Sequence, residues 1–297
     1  MGGPFKGVFC AAATPLDADL NRDEARLARH CRRLLDRGCH GVALLGSTGE
    51  ANSFSVSERK AMLEAVVASG VEAEKLLPGT GVCAIPETVD LTRHALALGV
   101  TTVIVLPPFY YKAVSEEGLY EAYARVIDGV ADPRLRVVLY HIPPISQIAI
   151  TPSLIERLIA RYPETIVGVK DSGGELEHMT ALARTFPSLS IFAGADPLMR
   201  PLLESGGAGC ITATSNLLSA ELRTIFDHFA DPAREDDVAA AQARVVAIRN
   251  LSNSHPQIPT IKAMVGHVNG EAGWERVRPP FRPLSEAQRA EVAAAMG

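Results

Sequence analysis

The chain has 297 residues, 47% of them apolar and 21% charged, which excludes a disordered chain and suits one large globular domain or two small ones. Its 29 basic and 34 acidic side chains leave a net charge of −5, so there is no bulk electrostatic case for nucleic acid or an anionic membrane. No apolar run reaches the roughly 18–20 residues of a membrane span, and the N-terminal MGGPFKGVFCAAATP has too short an apolar stretch for a signal peptide.

In chain order, a short apolar run, a turn and an amphipathic segment return eight times. Strands are predicted at Gly7–Ala13, Gly41–Gly46, Leu76–Gly81, Thr102–Leu106, Leu135–Tyr140, Ile166–Lys170, Ser190–Ala193 and Gly209–Thr212. Most are unbroken apolar runs, as expected of parallel strands covered on both faces. Helical spacing fills the gaps, for example at Asp23–Asp36, Ser57–Ser69 and Glu87–Leu98. Ser57 followed by Lys60 is a poor capping box, whereas Thr151-Pro152 and Asp196-Pro197 each place Pro at a first helical position behind a cap, the second opening Leu198–Leu203. Gly38, Gly70, Gly99 and Gly206 stand where helices should close. Residues 233–297 read as further helices: Ala233–Asn250, Gln257–Gly266 and Ser285–Met296. Cys10, Cys31, Cys39, Cys83 and Cys210 lie far apart with no CxxC pair, which points to reduced, buried thiols in a cytoplasm and not to disulfides or structural zinc.

Eight strand–helix units predict an α/β fold, a (β/α)8 TIM barrel, with a catalytic domain over 1–232 and a C-terminal helical extension over 233–297 packed on it. An open doubly wound sheet is the structural alternative. It wants a Gly-rich phosphate turn after the first strand, and Ala11-Ala12-Ala13-Thr14-Pro15 is not one.

A barrel of this kind carries its site where the strands end. Those ends hold Thr14, Gly46-Ser47-Thr48-Gly49-Glu50, Gly81, Pro107-Pro108, Tyr140-His141, Lys170-Asp171, Gly194-Ala195-Asp196 and Ile211-Thr212. Of six lysines, only Lys170 closes an apolar strand; Lys6, Lys60, Lys75, Lys112 and Lys262 fall in turns, on helices or near the N-terminus. An amine at an apolar barrel mouth loses hydration, which favours its neutral, nucleophilic form and suits imine chemistry with a ketone. The alternative is a salt bridge from Lys170 to Asp171 or Glu50. Tyr140 ends the preceding strand, one unit earlier, where its phenol can move protons for an imine-forming lysine. Ser47 and Thr48 lie between glycines, so backbone N–H groups and hydroxyls can turn inward as a nest for a carboxylate.

With these residues placed, the chain resembles the N-acetylneuraminate lyase / dihydrodipicolinate synthase superfamily of class I, pyruvate-type aldolases and lyases. Gly46-Ser47-Thr48-Gly49-Glu50 is similar to its pyruvate-carboxylate turn, Pro107-Pro108-Phe109-Tyr110-Tyr111 to its aromatic turn, and Tyr140-His141-Ile142-Pro143 to its tyrosine motif, with His where Asn is usual. Gly168-Val169-Lys170-Asp171-Ser172 is similar to its Schiff-base lysine motif and Gly206-Gly207-Ala208-Gly209-Cys210-Ile211 to its eighth-strand turn. Each string is weak alone; five in order at predicted strand ends are specific. The resemblance implies that Lys170 forms an imine with the C2 keto group of pyruvate or a longer 2-oxo acid. It implies that Tyr140 relays protons with Thr48, and that Tyr110 completes the relay from a neighbouring subunit. Ser47 and Thr48 would hold the substrate carboxylate, and Ile211, Gly194 and Ile145 would line the pocket. It further implies a homotetramer built as a dimer of dimers, acting on a small 2-oxo acid and an aldehyde without metal or organic cofactor.

The departures bear on substrate. Dihydrodipicolinate synthases carry an Arg two residues after the Pro of the tyrosine motif, where this chain has Ile145. Losing that cation–carboxylate contact costs about 1.5–3 kcal/mol, roughly a factor of 10 to 150 in binding, which counts against condensation of pyruvate with aspartate semialdehyde. Sialic acid lyases carry an acidic residue after the Asp of the seventh-strand turn and a Ser two residues after the eighth-strand Ile; here these are Pro197 and Ala213. A 2-keto-3-deoxy sugar acid or an arylidene pyruvate remains open, in cleavage, condensation or dehydration. Two alternatives of other classes are a metal-dependent barrel lyase using His141, Asp171, Asp196 and His178, and a non-catalytic ligand sensor. Trp274 is expected to pack the C-terminal helices, the Arg/Glu-rich Arg22–Arg37 face to be solvated, and His255 and His267 have no partner evident from sequence.

Overall fold

Unbroken apolar strands suit a sheet covered on both faces, and that is how they are used in the computed structural model, which describes residues 5–296; the first four residues and Gly297 lie outside this range. Seven parallel strands, β1 (Gly7–Ala11), β2 (Gly41–Ala43), β3 (Thr102–Val105), β4 (Arg136–His141), β5 (Ile166–Asp171), β6 (Ser190–Ala193) and β7 (Gly209–Thr212), pair in the order β2-β1-β7-β6-β5-β4-β3. Their side chains sort by parity. Phe9, Ala43, Ile104, Val138, Tyr140, Phe192 and Ile211 pack together inside the ring, while Val8, Cys10, Val42, Val103, Leu139, Val169 and Ile191 join the layer under the helices. β6 and β7 coincide with their predicted spans, and the others shift only at their ends.

The predicted third strand, Leu76–Gly81, is corrected. It makes isolated parallel bridges, Val42 to Leu76 and Gly79 to Ile104, in place of a ladder. Pro78 has no N–H to donate. Gly79 and Gly81 run so close to neighbouring backbone that a Cβ would stand 2.4 Å from the Leu45 oxygen and 2.4 Å from the Leu106 nitrogen. The Leu77 and Gly79 N–H groups donate to the Val42 and Leu44 carbonyls, and Ile104 donates to Pro78. The segment thus joins β2 to β3 and closes a TIM barrel with seven named strands.

The helices are α1 (Glu24–Asp36), α2 (Val56–Ala68), α3 (Ile85–Ala97), α4 (Glu116–Val130), α5 (Pro143–Ser146), α6 (Pro152–Arg161), α7 (Leu176–Thr185), α8 (Met199–Glu204) and α9 (Ser215–His228), followed by α10 (Glu235–Ser252), α11 (Gln257–Asn269) and α12 (Glu286–Met296). Thr151 caps α6 as expected, its Oγ1 accepting from the Leu154 N–H at 3.1 Å. Two predicted starts are corrected. α2 begins behind Ser55: its Oγ accepts from the Glu58 N–H at 3.2 Å, and Glu58 accepts from the Ser55 N–H at 2.8 Å, a full capping box. Asp196-Pro197 opens a single 3-10 turn, because the Asp196 carboxylate turns to Arg249 instead of capping, and α8 starts only at Met199. Cys10, Cys31, Cys39 and Cys210 are buried as expected, but Cys83 is exposed. Among the described residues no helix is long and apolar enough to cross a membrane.

Trp274 is fully buried with Ala13, Ala213, Ile261 and Val265, joining α11 to the strand ends. Its ring packs edge-on against His30 at 4.7 Å. His30 Nε2 donates to Asn216 Oδ1 at 2.8 Å; that oxygen also accepts from the Ala13 N–H, while Asn216 Nδ2 donates to the Ala11 and Ala213 carbonyls. His30 Nδ1 is then a buried lone pair without a partner among the described residues. Protonation would bury an unpaired N–H, and burial, outweighing the Asn216 bond, lowers the His30 pKa to about 4. A folded value below the ordinary 6.5 means that the contribution of His30 to stability is complete above pH 6.5 and is lost as pH falls toward 4. Denaturant titrations are expected to show a loss of up to about 3 kcal/mol across that window. The same titrations on His30→Gln should lose that part of the slope, leaving what His40 and His141, also lowered by burial, contribute; an unchanged slope would assign the acid sensitivity elsewhere.

Candidate active site

The register of β4 on β5 pairs Tyr140 directly with Lys170. Two such residues leave the same face of adjacent strands about 4.8 Å apart, here the inner face. Both are buried, and Lys170 Nζ stands 4.2 Å from the centroid of the Tyr140 ring. Among the described residues Lys170 makes no ion pair. Its two conceivable partners are taken: Glu50 by Lys262 at 2.5 Å, Asp171 by His178 at 2.6 Å. The salt-bridge alternative therefore falls. Burial alone would raise the Tyr140 phenol, but the Lys170 charge and hydrogen bonds with Ser47, Ser172 and Lys170 overcome it, so the phenol lies below its ordinary value.

The turn after β2 is shaped by its backbone. Leu45 and Glu50 both take left-handed φ of 56°. Thr14 Oγ1 donates to the Gly49 carbonyl at 2.8 Å, and a Cβ on Gly49 would crowd the Ala12 oxygen at 3.0 Å, so the turn lies tight on the end of β1. Ser47 and Thr48 remain half-buried on its inner side. After β6, a Cβ on Gly194 would stand 2.0 Å from Ser172 Oγ; only glycine leaves that hydroxyl room beside the phenol.

These groups border one cavity of 470 Å³ at the C-terminal ends of the strands. Its wall includes Ser47, Thr48, Tyr140, Ile145, Lys170, Gly194 and Ile211, which brings together every site residue expected from sequence except Tyr110. Tyr110 is 73% exposed and packs edge-on against the equally exposed Tyr111, outside the cavity wall of this single chain. Ile145 borders the cavity yet is 66% exposed. The wall also includes Ser172, Arg249, Gln257 and Phe281, which sequence reasoning missed. Ser172 was legible only as part of the lysine motif. The other three lie after the barrel, where nothing local marks a residue as facing the site.

Of the candidate metal ligands, His141, Asp171 and His178 come together with ligand atoms within 4.8 Å of one another; Asp196 is elsewhere, paired with Arg249. The three are occupied with each other and with backbone. His141 Nδ1 accepts from the Ile150 N–H at 3.0 Å, Asp171 Oδ1 from the Gly173 N–H at 2.8 Å, and the two imidazoles stack at 4.8 Å. None of them borders the cavity. The arrangement braces β4 and β5 against α7.

The comparisons with known proteins agree with this geometry. Residues 4–297 match the model of the "Dihydrodipicolinate synthetase family". An "Uncharacterized DapA-like lyase" of Chloroflexus aurantiacus is 38% identical over 291 residues, 98% of this chain and 95% of that protein. The crystal structure of dihydrodipicolinate synthase from Agrobacterium tumefaciens is 30% identical, covers 97% of this chain and 98% of its own, and superposes with a TM-score of 0.85. That of YagE, a prophage protein of the dihydrodipicolinic acid synthase family from E. coli K12 solved with pyruvate, is 26% identical over 98% of this chain and 97% of its own, with a TM-score of 0.89. Barrel, buried lysine and whole-length match converge: the chain belongs to the dihydrodipicolinate synthetase family and is a lyase of the class I aldolase type.

Proposed function

We propose that Lys170 forms an imine with the C2 keto group of pyruvate or a longer 2-oxo acid, and that the imine drives carbon–carbon cleavage, condensation or dehydration. The observation that carries this is the Lys170 amine, buried at the cavity, 4.2 Å from the centroid of the Tyr140 ring and, among the described residues, without a carboxylate partner. The amine adds to the carbonyl carbon; the carbinolamine oxygen takes up a proton and leaves as water. Tyr140, its phenol already below the ordinary value, supplies and recovers that proton, in relay with Thr48. Ser47 and Thr48 hold the substrate carboxylate, and Ile211 and Gly194 shape the keto-acid end. None of these steps draws on a metal or organic cofactor. The exposed Tyr110 suits completion of the relay from a neighbouring subunit of a cytoplasmic homotetramer, with residues 233–297 acting as an extension of the 1–232 catalytic barrel.

A second reading, condensation of pyruvate with aspartate semialdehyde, is favoured by the 30% identity to the Agrobacterium synthase. Against it stands Ile145, which offers no cation at the rim. Borohydride reduction in the presence of pyruvate tests the main reading. The expected result is a reduced pyruvyl adduct on Lys170 alone, found by peptide mass mapping. Intact, folded protein with unlabelled Lys170 would sink it.

A further inference from the structure

We propose that Arg249 is a specificity-determining residue that binds a second anionic group, so that the substrate is a 2-oxo acid carrying a carboxylate at its far end. The inference rests on the imine reading of Lys170 and adds to it the chemistry of the opposite end of the substrate.

Among the described residues, the charged groups that border the cavity are Lys170 and Arg249; no carboxylate does. With no carboxylate on that wall, Arg249 is the group that favours a second negative end on the occupant. The 2-oxo carboxylate at Ser47 and Thr48 accounts for one end. Arg249, from the last turn of α10, borders the same cavity. One guanidinium nitrogen, Nη1, donates to Asp196 Oδ2 at 3.3 Å, and the Asp196 side chain is fully buried and does not border the cavity. A guanidinium has five N–H donors in a planar fork, and among the described residues its side chain makes that one hydrogen bond, so the edge left over matches a carboxylate. The rim position, Ile145, supplies no competing cation. Arg249 is a cation brought to the cavity by a helix beyond the barrel and not by the rim position after β4.

The test uses the wild-type protein and asks for adduct formation only, so no knowledge of the natural reaction is needed. Borohydride trapping at Lys170 is titrated with 2-oxoglutarate, 2-oxoadipate and 2-oxopimelate, each beside the 2-oxo monoacid of the same chain length. For the diacid whose length spans the cavity, half-saturation is expected at a concentration about 10- to 150-fold lower than for its monoacid. That ratio should fall to near one in Arg249→Met, stay intermediate in Arg249→Lys, and shrink in wild type as ionic strength rises. A ratio near one at all three lengths in wild type, with monoacid and pyruvate adducts formed normally, overturns the role of Arg249 and leaves the imine reading standing. A ratio that persists in Arg249→Met also overturns it. Absence of any adduct, pyruvate included, overturns the imine reading and this inference together.

Discussion

Replacing Lys170 with methionine is expected to abolish borohydride trapping and to lower kcat/KM by about 10⁴-fold or more. Removing a covalent nucleophile, the role proposed for Lys170, takes away more than the 10²–10⁴ ascribed to a positioned acid or base. The physical basis is that among the described residues no other lysine borders the cavity: Lys262 is buried against Glu50 and Lys112 is tied to the Ser146 carbonyl at 2.9 Å. Methionine fills the volume with an apolar chain, and because Lys170 has no carboxylate partner to abandon, the variant should be as stable as wild type or more so. Tyr140→Phe keeps the ring under the amine but removes the phenol. It should still yield the adduct, with turnover reduced by about 10²–10⁴-fold. Equal damage to trapping in both variants would show that Tyr140 holds the amine in place instead of moving protons. Thermal unfolding beside steady-state kinetics separates these outcomes from misfolding.

The second large effect lies under the Ser47–Thr48 turn. Glu50 and Lys262 have side chains with no exposure at all, joined at 2.5 Å, and Glu50 also accepts from the Arg278 N–H at 3.2 Å. Burial lowers the Lys262 pKa, and Glu50 opposes that shift without cancelling it. Lys262→Met strands a buried carboxylate with one backbone donor and should cost about 3–5 kcal/mol, read by denaturant titration. Glu50→Gln should cost less, since the amine can shed its proton. The double variant, which buries no charge, should recover much of the loss; simple additivity would mean that the two groups act independently. Glu50 also holds the left-handed end of the Ser47–Thr48 turn, so the single variants should raise the half-saturation for pyruvate trapping even at temperatures where they stay folded.

Much of this protein was legible in its linear order. Unbroken apolar runs with intervening helical spacing point to a covered parallel sheet, because the inside and the outside of a barrel wall are both dry, and that alone places Lys170, Tyr140, Ser47 and Thr48 at strand ends. Local chemistry had limits even there. Leu76–Gly81 reads as a strand by composition, but Pro78 and two glycines pressed on neighbouring backbone leave it only bridges. Ser55 and not Ser57 caps α2, because the reciprocal bond with Glu58 decides the cap.

What tertiary structure alone decided is which distant charges meet. A salt bridge from Lys170 to Asp171 or Glu50 was open by sequence; the fold gives Glu50 to Lys262, 212 positions away, and Asp171 to His178, so that among the described residues Lys170 makes no ion pair. Asp196 looked like a helix cap and is instead turned to Arg249, which lies on a helix beyond the barrel and borders the cavity. Strand periodicity follows from neighbours along the chain, whereas ion pairing depends on positions in space that only the closed barrel and its added helices define.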